Sequence, residues 1–378
     1  MRGADIPPFY AGEIGRHAAA LQRTGRRIIA MHFGQPTLGP PPAVLAAAHR
    51  AIDAGPNGYF ESQELRERIA RHYRDTYGVT VAAARILLTS GASAGLVAAF
   101  TTMFATGDRV GVTRPGYPAY RNSLAALGRE PVEIDCDAAQ GFRLDARRVA
   151  AVPGRLHGLV VASPGNPTGA MLSRTELAAV AQACRDRGTL LISDEIYHGI
   201  SYGEAAATAL ECEPRALVIN SFSKLYRMPG WRLGWLVAPQ DCVARLSAHL
   251  INFFLTPPSA AQQAAIAAFD DPADLQAAVA SYARNRARLL AELPAMGLAG
   301  IAPPDGAFYL YADVGHLTQD SLAFCRELLD DTGISIAPGI DFDPVHGHRF
   351  VRLSFAVSND EVAEALDLLR PWLQRRRR

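Results

Sequence analysis

Between residues 86 and 237 the sequence alternates short apolar runs with longer stretches of helical spacing. The apolar runs are rich in Val, Ile and Leu and cover 86–89, 109–112, 132–134, 158–162, 190–193, 217–220 and 233–237. Helical periodicity covers 95–102, 119–127, 175–186 and 242–253. Strands without polar alternation are buried on both faces, and helices between them are the crossovers that parallel neighbours need. The pattern predicts an α/β fold with a largely parallel sheet flanked by helices.

The two ends of the chain show a different pattern. Before the sheet, the spacing predicts helices over 11–24, 43–52 and 63–77 and a short strand over 28–31. After residue 272 it predicts a long helix over 275–293, strands over 308–311, 334–337 and 350–355, and helices over 319–330 and 360–373. Because 378 residues exceed what one hydrophobic core usually organises, we predict two domains. The large one spans 41–279, and the small one combines 1–40 with 280–378.

The composition indicates an ordinary globular protein, with 49% hydrophobic residues, 20% charged residues and a formal net charge of +1. This balance favours neither a nucleic acid nor a membrane as partner, and the arginines at 375–378 are interpreted as a solvated tail. Five scattered cysteines without a CxxC pair argue against a disulfide framework or a zinc site. No apolar run approaches the roughly 20 residues that span a bilayer, and residues 1–9 are not typical of a signal peptide. We therefore expect a cytoplasmic protein.

Two loops that follow the first apolar runs carry features suited to a ligand. Residues 90–93, with the sequence SGAS, lead directly into a helix. Free N–H groups at a helix N-terminus attract anions, and Gly91, Ala92 and Ser93 are small enough to let one approach. The alternative is a plain N-cap by Ser93. Tyr117 follows the second run between two prolines, and it is either a rigid aromatic plate for a planar ligand or a buried packing residue.

Polar side chains also follow the fourth and fifth runs. Residues 163–169, with the sequence SPGNPTG, form a rigid turn that presents the amide of Asn166. Asp194 ends a buried strand, where a carboxylate needs a facing cation to offset its desolvation. The alternative is an ordinary N-cap aspartate. Tyr197 comes three residues later and shares the face of Asp194 if this turn is helical.

The sixth run is followed by a lysine, Lys224, among the small hydroxyl residues Ser221 and Ser223. Burial at this place would lower the pKa of the amine and suit it to Schiff-base formation with a carbonyl group. The alternative is a surface lysine. Arg232, downstream of it, carries a guanidinium suited to phosphate. Together the loops supply an anion site, an aromatic plate, an amide, a carboxylate and a lysine, which are the groups that a pyridine aldehyde phosphate requires.

These motifs resemble those of the class I/II aminotransferases, which belong to fold type I of the enzymes that use pyridoxal 5'-phosphate (PLP). The resemblance extends from Gly34 to Phe355 and is most specific at 163–169, 193–197, 221–224 and 230–234. It implies a seven-stranded, mainly parallel sheet in a large domain, a smaller α+β domain from both termini, and a homodimer with shared active sites. Two places depart from the family pattern: Pro229 stands where a threonine is usual, and residues 61–63 stand where a glycine is usual.

The resemblance also implies a role for each matching residue at the cofactor ring. Lys224 would carry PLP as a Schiff base and later move the substrate proton. Asp194 would pair with the pyridinium nitrogen, and Asn166 and Tyr197 would hydrogen-bond the ring oxygen. Tyr117 would stack on the ring.

A second set of matching residues would bind phosphate and substrate. The phosphate would be held by Gly91, Ala92, Ser93, Ser221, Ser223 and Arg232. Tyr59 matches the tyrosine that reaches the phosphate from the neighbouring subunit. Gly34, Asn166 and Arg352 would bind the substrate, with Arg352 on its α-carboxylate.

The activity that the resemblance implies is a ping-pong transfer of the amino group of an α-amino acid to a 2-oxo acid, through PLP and pyridoxamine phosphate. One alternative is a PLP-dependent C–S lyase, which would use the same cofactor residues on the same fold. Another is the PLP-sensing module of a transcription regulator, for which the sequence offers no spare DNA-binding domain.

For the substrate, the sequence favours a neutral or aromatic amino acid over aspartate. Arg352 accounts for the α-carboxylate, and a second buried carboxylate needs a second cation. A bacterial subgroup of aspartate aminotransferases that resembles this chain has a lysine at the position of Ser93. A serine cannot supply that positive charge. Residues 6–10 contribute apolar and aromatic side chains that could line a pocket. Aspartate stays open as a second substrate.

Overall fold

The computed structural model describes residues 5–55, 57–298 and 300–376. Its α-helices are α1 (Tyr10–Arg23), α2 (Pro42–Asp53), α3 (Gln63–Tyr77), α4 (Ala92–Met103), α5 (Pro118–Ala126), α6 (Ala146–Ala151), α7 (Arg174–Asp186), α8 (Val243–Phe254), α9 (Ser259–Ile266), α10 (Pro272–Glu292), α11 (Ser321–Thr332) and α12 (Asn359–Arg376). Its β-strands are β1 (Ile29–Ala30), β2 (Ile86–Thr89), β3 (Arg109–Arg114), β4 (Glu130–Asp135), β5 (Gly158–Ala162), β6 (Leu190–Asp194), β7 (Leu217–Ser221), β8 (Gly234–Val237), β9 (Gly300–Ile301), β10 (Tyr309–Asp313), β11 (Ile334–Ser335), β12 (Ala337–Pro338) and β13 (Phe350–Ser354). Residues 1–4 of the N-terminal segment and residues 377–378 of the basic tail lie outside the described residues.

Seven of these strands form one sheet in the order β2-β8-β7-β6-β5-β3-β4. Strand β8 runs antiparallel to its neighbours β2 and β7, and the other pairs are parallel. Helices α5, α6 and α7 lie in the connections between parallel strands, whereas the connection from β6 to β7 contains only a short 3-10 helix, Ala209–Glu211. The α/β fold with a mainly parallel seven-stranded sheet is thereby confirmed.

Successive residues of the central strands pack on opposite faces of the sheet. Leu159 and Val161 of β5 share one apolar cluster with Leu191 of β6, whereas Val160 and Ile192 belong to the cluster on the other face. Each of these side chains is at most 2% exposed. Burying one such side chain stabilises a fold by about 1.5–3 kcal/mol. Both faces are therefore apolar, which explains why the strands have no polar alternation.

The two ends of the chain pack against each other. Strand β1 pairs in parallel with β11, and β12-β13-β10-β9 form a separate antiparallel sheet. Ile14 of α1 and Leu366 of α12 belong to one apolar cluster. Helix α10 reaches both regions, because Leu275 packs with the large sheet and Tyr282 with the terminal cluster. The predicted domain limits, 1–40 with 280–378 and 41–279, remain predictions.

Four elements differ from the sequence predictions, and one of them is the two-residue strand β9, which no apolar run predicts. Helix α6 was not predicted, and neither was α9, whose alanine-rich sequence lacks a polar face and whose buried Gln262 accepts a hydrogen bond from the backbone of Ser62. The single strand expected over 334–337 is two strands. Ser335 pairs with Ala30, whereas Ala337 pairs with Arg352 in another sheet. Pairing partners that are distant in sequence thus divide a continuous apolar run.

Three further observations concern the described part of the chain. None of its helices combines the length and apolar character needed to cross a membrane. Its residues form no cluster of three or more His, Cys, Asp or Glu side chains able to hold a metal ion. The five cysteines are all free thiols: Cys136, Cys184, Cys212, Cys242 and Cys325.

Candidate active site

The carboxyl ends of β5, β6 and β7 lie at one edge of the large sheet, beside a cavity of about 240 Å³. The register places Ala162 next to Asp194, and Asp194 next to Ile219. Most of the predicted site residues line this cavity: Gly34, Ala92, Ser93, Tyr117, Asn166, Asp194, Tyr197, Ser221, Ser223, Lys224, Arg232 and Arg352. The carboxyl ends of neighbouring parallel strands lie at the same edge of a sheet. Side chains that directly follow these strands therefore converge at this cavity.

Lys224, just after β7, is the only lysine in the sequence. Its Nζ donates a 2.6 Å hydrogen bond to the carbonyl oxygen of Gly34. Burial, reinforced by the Arg352 guanidinium and opposed by Asp194, lowers the pKa of the amine to about 8. Part of the amine is therefore neutral near pH 7, and only the neutral form acts as a nucleophile or a base.

Asp194 ends β6 with 2% of its surface exposed. Its Oδ2 accepts a 2.6 Å hydrogen bond from the hydroxyl of Tyr120, and its Oδ1 accepts one of 3.2 Å from the backbone N–H of Ile196. Burial raises the pKa of this carboxyl to about 6, and these bonds and the charge of Lys224 oppose the shift only in part. A positive charge against the carboxylate, such as a protonated ring nitrogen, would stabilise its ionised form.

Arg352 is buried on β13 and holds Asn166. Its terminal nitrogens donate to Oδ1 of Asn166 at 2.9 Å and to the carbonyl of His32 at 2.5 Å. Its guanidinium carbon lies 4.5 Å from the ring centre of Tyr309 and 4.6 Å from that of Phe342, and its Nε has no partner among the described residues. These neighbours are neutral, so the positive charge remains available to a carboxylate. Because Asn166 accepts through Oδ1, its amide hydrogens can donate to a ligand.

Two pairs of aromatic rings complete the walls of the cavity. The hydroxyls of Tyr197 and Tyr309 are 2.6 Å apart, and both residues are buried. The ring of Tyr117 meets that of Tyr120 edge to face, with their centres 5.4 Å apart. Tyr117 thus presents a fixed aromatic surface to the cavity, as its place between two prolines predicts.

The N-terminus of α4 is suited to bind an anion. Its N-cap is Gly91, which has a φ of +83° and makes no side-chain capping bond. Ser93 is the second residue of the helix, so the alternative that it caps α4 is wrong. The N–H groups of the first turn have no intrahelical acceptor and can bind an anion. A Cβ at position 91 would overlap the guanidinium of Arg232, so glycine is required for that charge to lie at the helix end.

Ser221, Ser223 and Arg232 supply further donors beside this helix end. The two serine hydroxyls are joined by a 2.8 Å hydrogen bond, and the guanidinium of Arg232 donates to the carbonyl of Pro229 at 2.9 Å. Backbone N–H groups, hydroxyls and a guanidinium form the donor set that a phosphate needs. The residues of the cavity therefore fit PLP, because they combine phosphate donors with a carboxylate, Asp194, and an amine, Lys224.

Two predicted site residues do not line the cavity. Gly91 lies behind Arg232, as the overlap of a Cβ with that guanidinium shows. Tyr59 lies outside the cavity, before α3, with 81% of its surface exposed. Within this one chain, Tyr59 is thus the only predicted cofactor residue that the fold does not bring to the others.

Eight residues that line the cavity are not among the predicted site residues: Phe9, Phe33, Gln35, Leu96, Tyr120, Ile196, Pro229 and Tyr309. The spacing of Tyr120, three residues after Tyr117 at the start of a helix, would have placed both on one face. Phe9 belongs to the segment 6–10 that was expected to line a pocket. Tyr309 has no local signal, because the antiparallel pairing of β10 with β13 brings it to the site.

A mainly parallel α/β fold with a partly buried lysine, a buried aspartate and a set of donors suited to phosphate at the carboxyl edge of its sheet defines a PLP-dependent transferase. The model of the family "Aminotransferase class I and II" matches residues 26–369, and the chain belongs to this family. It is a PLP-dependent aminotransferase, which moves the amino group of an amino acid to a 2-oxo acid.

Individual relatives agree with this assignment. The valine–pyruvate aminotransferase of Mycobacterium tuberculosis is 45% identical over 98% of this chain and 97% of its own length. The aspartate/prephenate aminotransferase of Thermus thermophilus is 31% identical over 96% and 95%. Among solved structures, an aminotransferase from Mycobacterium tuberculosis superposes with a TM-score of 0.95 at 45% identity, covering 98% of this chain and 97% of its own. The Thermus thermophilus aspartate aminotransferase with maleate has a TM-score of 0.91 at 30% identity, covering 98% and 100%.

Proposed function

We propose that this aminotransferase acts on neutral amino acids, with valine as donor and pyruvate as acceptor. The carrying observation is the set of cations among the described residues that line the cavity: Lys224, Arg232 and Arg352. Each of them has a task in handling the cofactor or the α-carboxylate. No cation of this chain is left there for a distal carboxylate, and burying one unpaired costs several kcal/mol. The relative named for valine and pyruvate supports the same choice.

The walls of the cavity suit an apolar side chain. Phe9, Phe33, Leu96 and Ile196 line it, and Ser93 stands beside Leu96 on the first turn of α4. A branched aliphatic side chain gains about 0.8 kcal/mol for each CH₂ group that it removes from water. A charged one would lose more than that by desolvation. The same apolar wall would accept an aromatic side chain.

The chemistry of this reaction depends on PLP, which when bound supplies an electron sink for the bond broken at the substrate Cα. The chain's own residues then have distinct tasks. Lys224 would remove the Cα proton of the substrate with its neutral amine and would later give that proton back. Asp194 would keep the ring nitrogen protonated, because an ionised carboxylate favours a facing cation. Arg352 holds the α-carboxylate, assisted by Gly34 and Asn166.

Binding of the cofactor involves a second group of side chains. Asn166 and Tyr197 would donate to the ring oxygen, and Tyr117 would cover the ring face. The phosphate would be held by the helix end and its neighbours: Gly91, Ala92, Ser93, Ser221, Ser223 and Arg232. Charge-assisted hydrogen bonds from this many donors would fix the orientation of the cofactor as well as its affinity.

The active unit is proposed to be a homodimer in which Tyr59 of one subunit reaches the phosphate of the other. Tyr59 is exposed on its own chain, and other large apolar side chains are exposed as well, including Leu255 at 50%. The amide of Gln262 donates to the carbonyls of Phe60 and Pro257, so these two segments are adjacent. A self-complementary patch that carries a ligand group is well suited to an isologous dimer. For the compartment we propose the cytoplasm, where unpaired cysteines are stable.

A comparison of kcat/KM for valine, alanine, phenylalanine and aspartate, with pyruvate held constant, tests the substrate. Valine is expected to exceed aspartate by tenfold or more, and an aspartate advantage of a hundredfold, about 2.7 kcal/mol, would contradict the proposal. Ser93→Lys is the matched variant, because it adds a cation at the cavity wall. It should raise kcat/KM for aspartate, while Ser93→Thr should not.

A further inference from the structure

The hydroxyl of Tyr309 lies 2.6 Å from the hydroxyl of Tyr197, and in the described structure each has the other as its hydrogen-bond partner. A phenol has a single hydrogen to donate. If Tyr197 directs its hydrogen to the ring oxygen of the cofactor, its own oxygen must accept from Tyr309. We propose that Tyr309 is a positioning residue that donates to Tyr197 and thereby commits the hydrogen of Tyr197 to the cofactor. This inference rests on the role proposed for Tyr197 above.

The surroundings of Tyr309 hold its hydroxyl in place. The residue is fully buried at the start of β10. On one side the guanidinium of Arg352 lies 4.5 Å from the ring centre, and the ring of Tyr197 meets it edge to face at 5.6 Å. On another side is the backbone of Gly34, where a Cβ would overlap the phenol oxygen of Tyr309. Glycine at 34 therefore makes room for this hydroxyl, while the Gly34 carbonyl accepts from Lys224.

Charges around the pair keep both phenols protonated. Burial raises the pKa of Tyr309 to about 12, against the opposing charge of Arg352, and raises that of Tyr197 well above its usual value. The other groups that face them are Asp194, Tyr117 and Lys224, whose Nζ lies 5.8 Å from the ring centre of Tyr197. At neutral pH both hydroxyls thus carry their hydrogens, and Tyr309 has one to donate.

A donor to an oxygen makes that oxygen less basic, and a chain of hydrogen bonds strengthens each of its members. The visible absorbance of the loaded enzyme without substrate follows a proton shared between the ring oxygen and the nitrogen of Lys224. Losing a donor to the ring oxygen should therefore raise the pKa of that absorbance change. Loss of the Tyr309 hydroxyl should raise this pKa in the same direction as loss of the Tyr197 hydroxyl. The shift should be smaller, because Tyr309 affects the ring oxygen only through Tyr197.

The experiment is a pH titration of this absorbance in the holoenzyme for Tyr309→Phe, Tyr197→Phe and the double variant. Tyr197→Phe should raise the pKa by about one unit and Tyr309→Phe by roughly a few tenths. The double variant should match Tyr197→Phe alone, because a relay cannot act without its second member. Tyr311→Phe is the control, since Tyr311 is buried on the same strand and its hydroxyl has no partner among the described residues.

Two results would overturn the proposal. One is an unchanged pKa in Tyr309→Phe. If the pKa is unchanged and only the KM for the substrate rises, Tyr309 merely supports Arg352. The other is a double variant whose shift is the sum of the two single shifts. No substrate is present in the titration, so an error in the proposed substrate would leave these results unaffected and would show only in the kcat/KM comparison.

Discussion

Tyr120 and Asp194 are joined by a 2.6 Å hydrogen bond, in which the phenol donates to Oδ2 of the carboxylate. Tyr120 lies on α5 and Asp194 ends β6, so the bond connects a crossover helix to the carboxyl edge of the sheet. It stabilises the ionised form of a carboxyl whose pKa is raised to about 6 by burial. Tyr120 therefore supports Asp194, the carboxylate that we propose to face the ring nitrogen.

Tyr120→Phe should raise the pKa of Asp194 further, because burial remains and the donor is lost. The acid limb of the kcat/KM profile is expected to move to higher pH by about one unit, as for a hydrogen bond to a charged group. Activity should therefore fall more at pH 6 than at pH 8. Tyr202→Phe, which removes a hydroxyl bonded to the carbonyl of Ala307 instead, is the control. Equal losses at both pH values would contradict the assignment.

Lys224→Ala should reduce turnover more than a hundredfold, since it removes both the nucleophile and the proton carrier. The sequence allows a direct check, because Lys224 is its only lysine. Borohydride reduction of the loaded wild-type enzyme should fix one cofactor per chain, and peptide mass spectrometry should locate it at Lys224. The variant should lose this mass increase. Cofactor fixed instead at the α-amino group would show that the lysine was misassigned.

Mixing two variants tests whether Tyr59 acts across a subunit boundary. Tyr59→Ala should weaken cofactor binding, and Lys224→Ala should be inactive. In a heterodimer of the two, one site would combine an intact Lys224 with an intact Tyr59 from the partner. A one-to-one mixture should thus recover about a quarter of the wild-type sites at limiting cofactor, since half of the dimers are mixed and each has one good site. No recovery after subunit exchange would mean that Tyr59 serves its own chain or none.

Glu195 predicts a pH dependence of stability that is separate from catalysis. Its Oε1 accepts hydrogen bonds from Ser193, Thr208 and the backbone of Ala209. Its Oε2 has no hydrogen-bond partner among the described residues and lies 3.5 Å from Nδ1 of His198. Burial raises the pKa of this carboxyl from 4.5 to about 7. Between these values the folded protein keeps a proton that the unfolded chain has released, so stability falls as the pH rises.

Glu195→Gln should remove this fall, which is on the order of 3 kcal/mol for a shift of this size. Chemical denaturation gives the free energy of unfolding of wild type and variant at pH 5 and at pH 7.5. The difference between the two proteins should change between these pH values by the amount of the fall. The exposed Glu204→Gln is the control for the substitution itself. A constant difference between Glu195→Gln and wild type at the two pH values would show that Glu195 is not protonated in the folded protein.

Much of the architecture and of the cofactor site could be predicted because the signals are local. Apolar runs without alternation identified the strands, and the polar residues after Ala162, Ser193 and Asn220 identified the edge where ligands bind. In a parallel sheet these loops must meet, so Asn166 and Lys224 converge although 58 positions separate them (224 − 166). The position of each group along the chain was enough to place it.

Only the tertiary structure decided the contacts between residues that are distant in the sequence and whose neighbours along the chain give no signal of the contact. Arg352 meets Asn166 across 186 positions, and Tyr309 meets Tyr197 across 112. Ser93 could have capped α4, but the helix begins one residue earlier and leaves its N–H groups to an anion. These outcomes depend on how the terminal elements pack against the sheet, through apolar contacts that are non-directional and leave no periodic signature in the sequence.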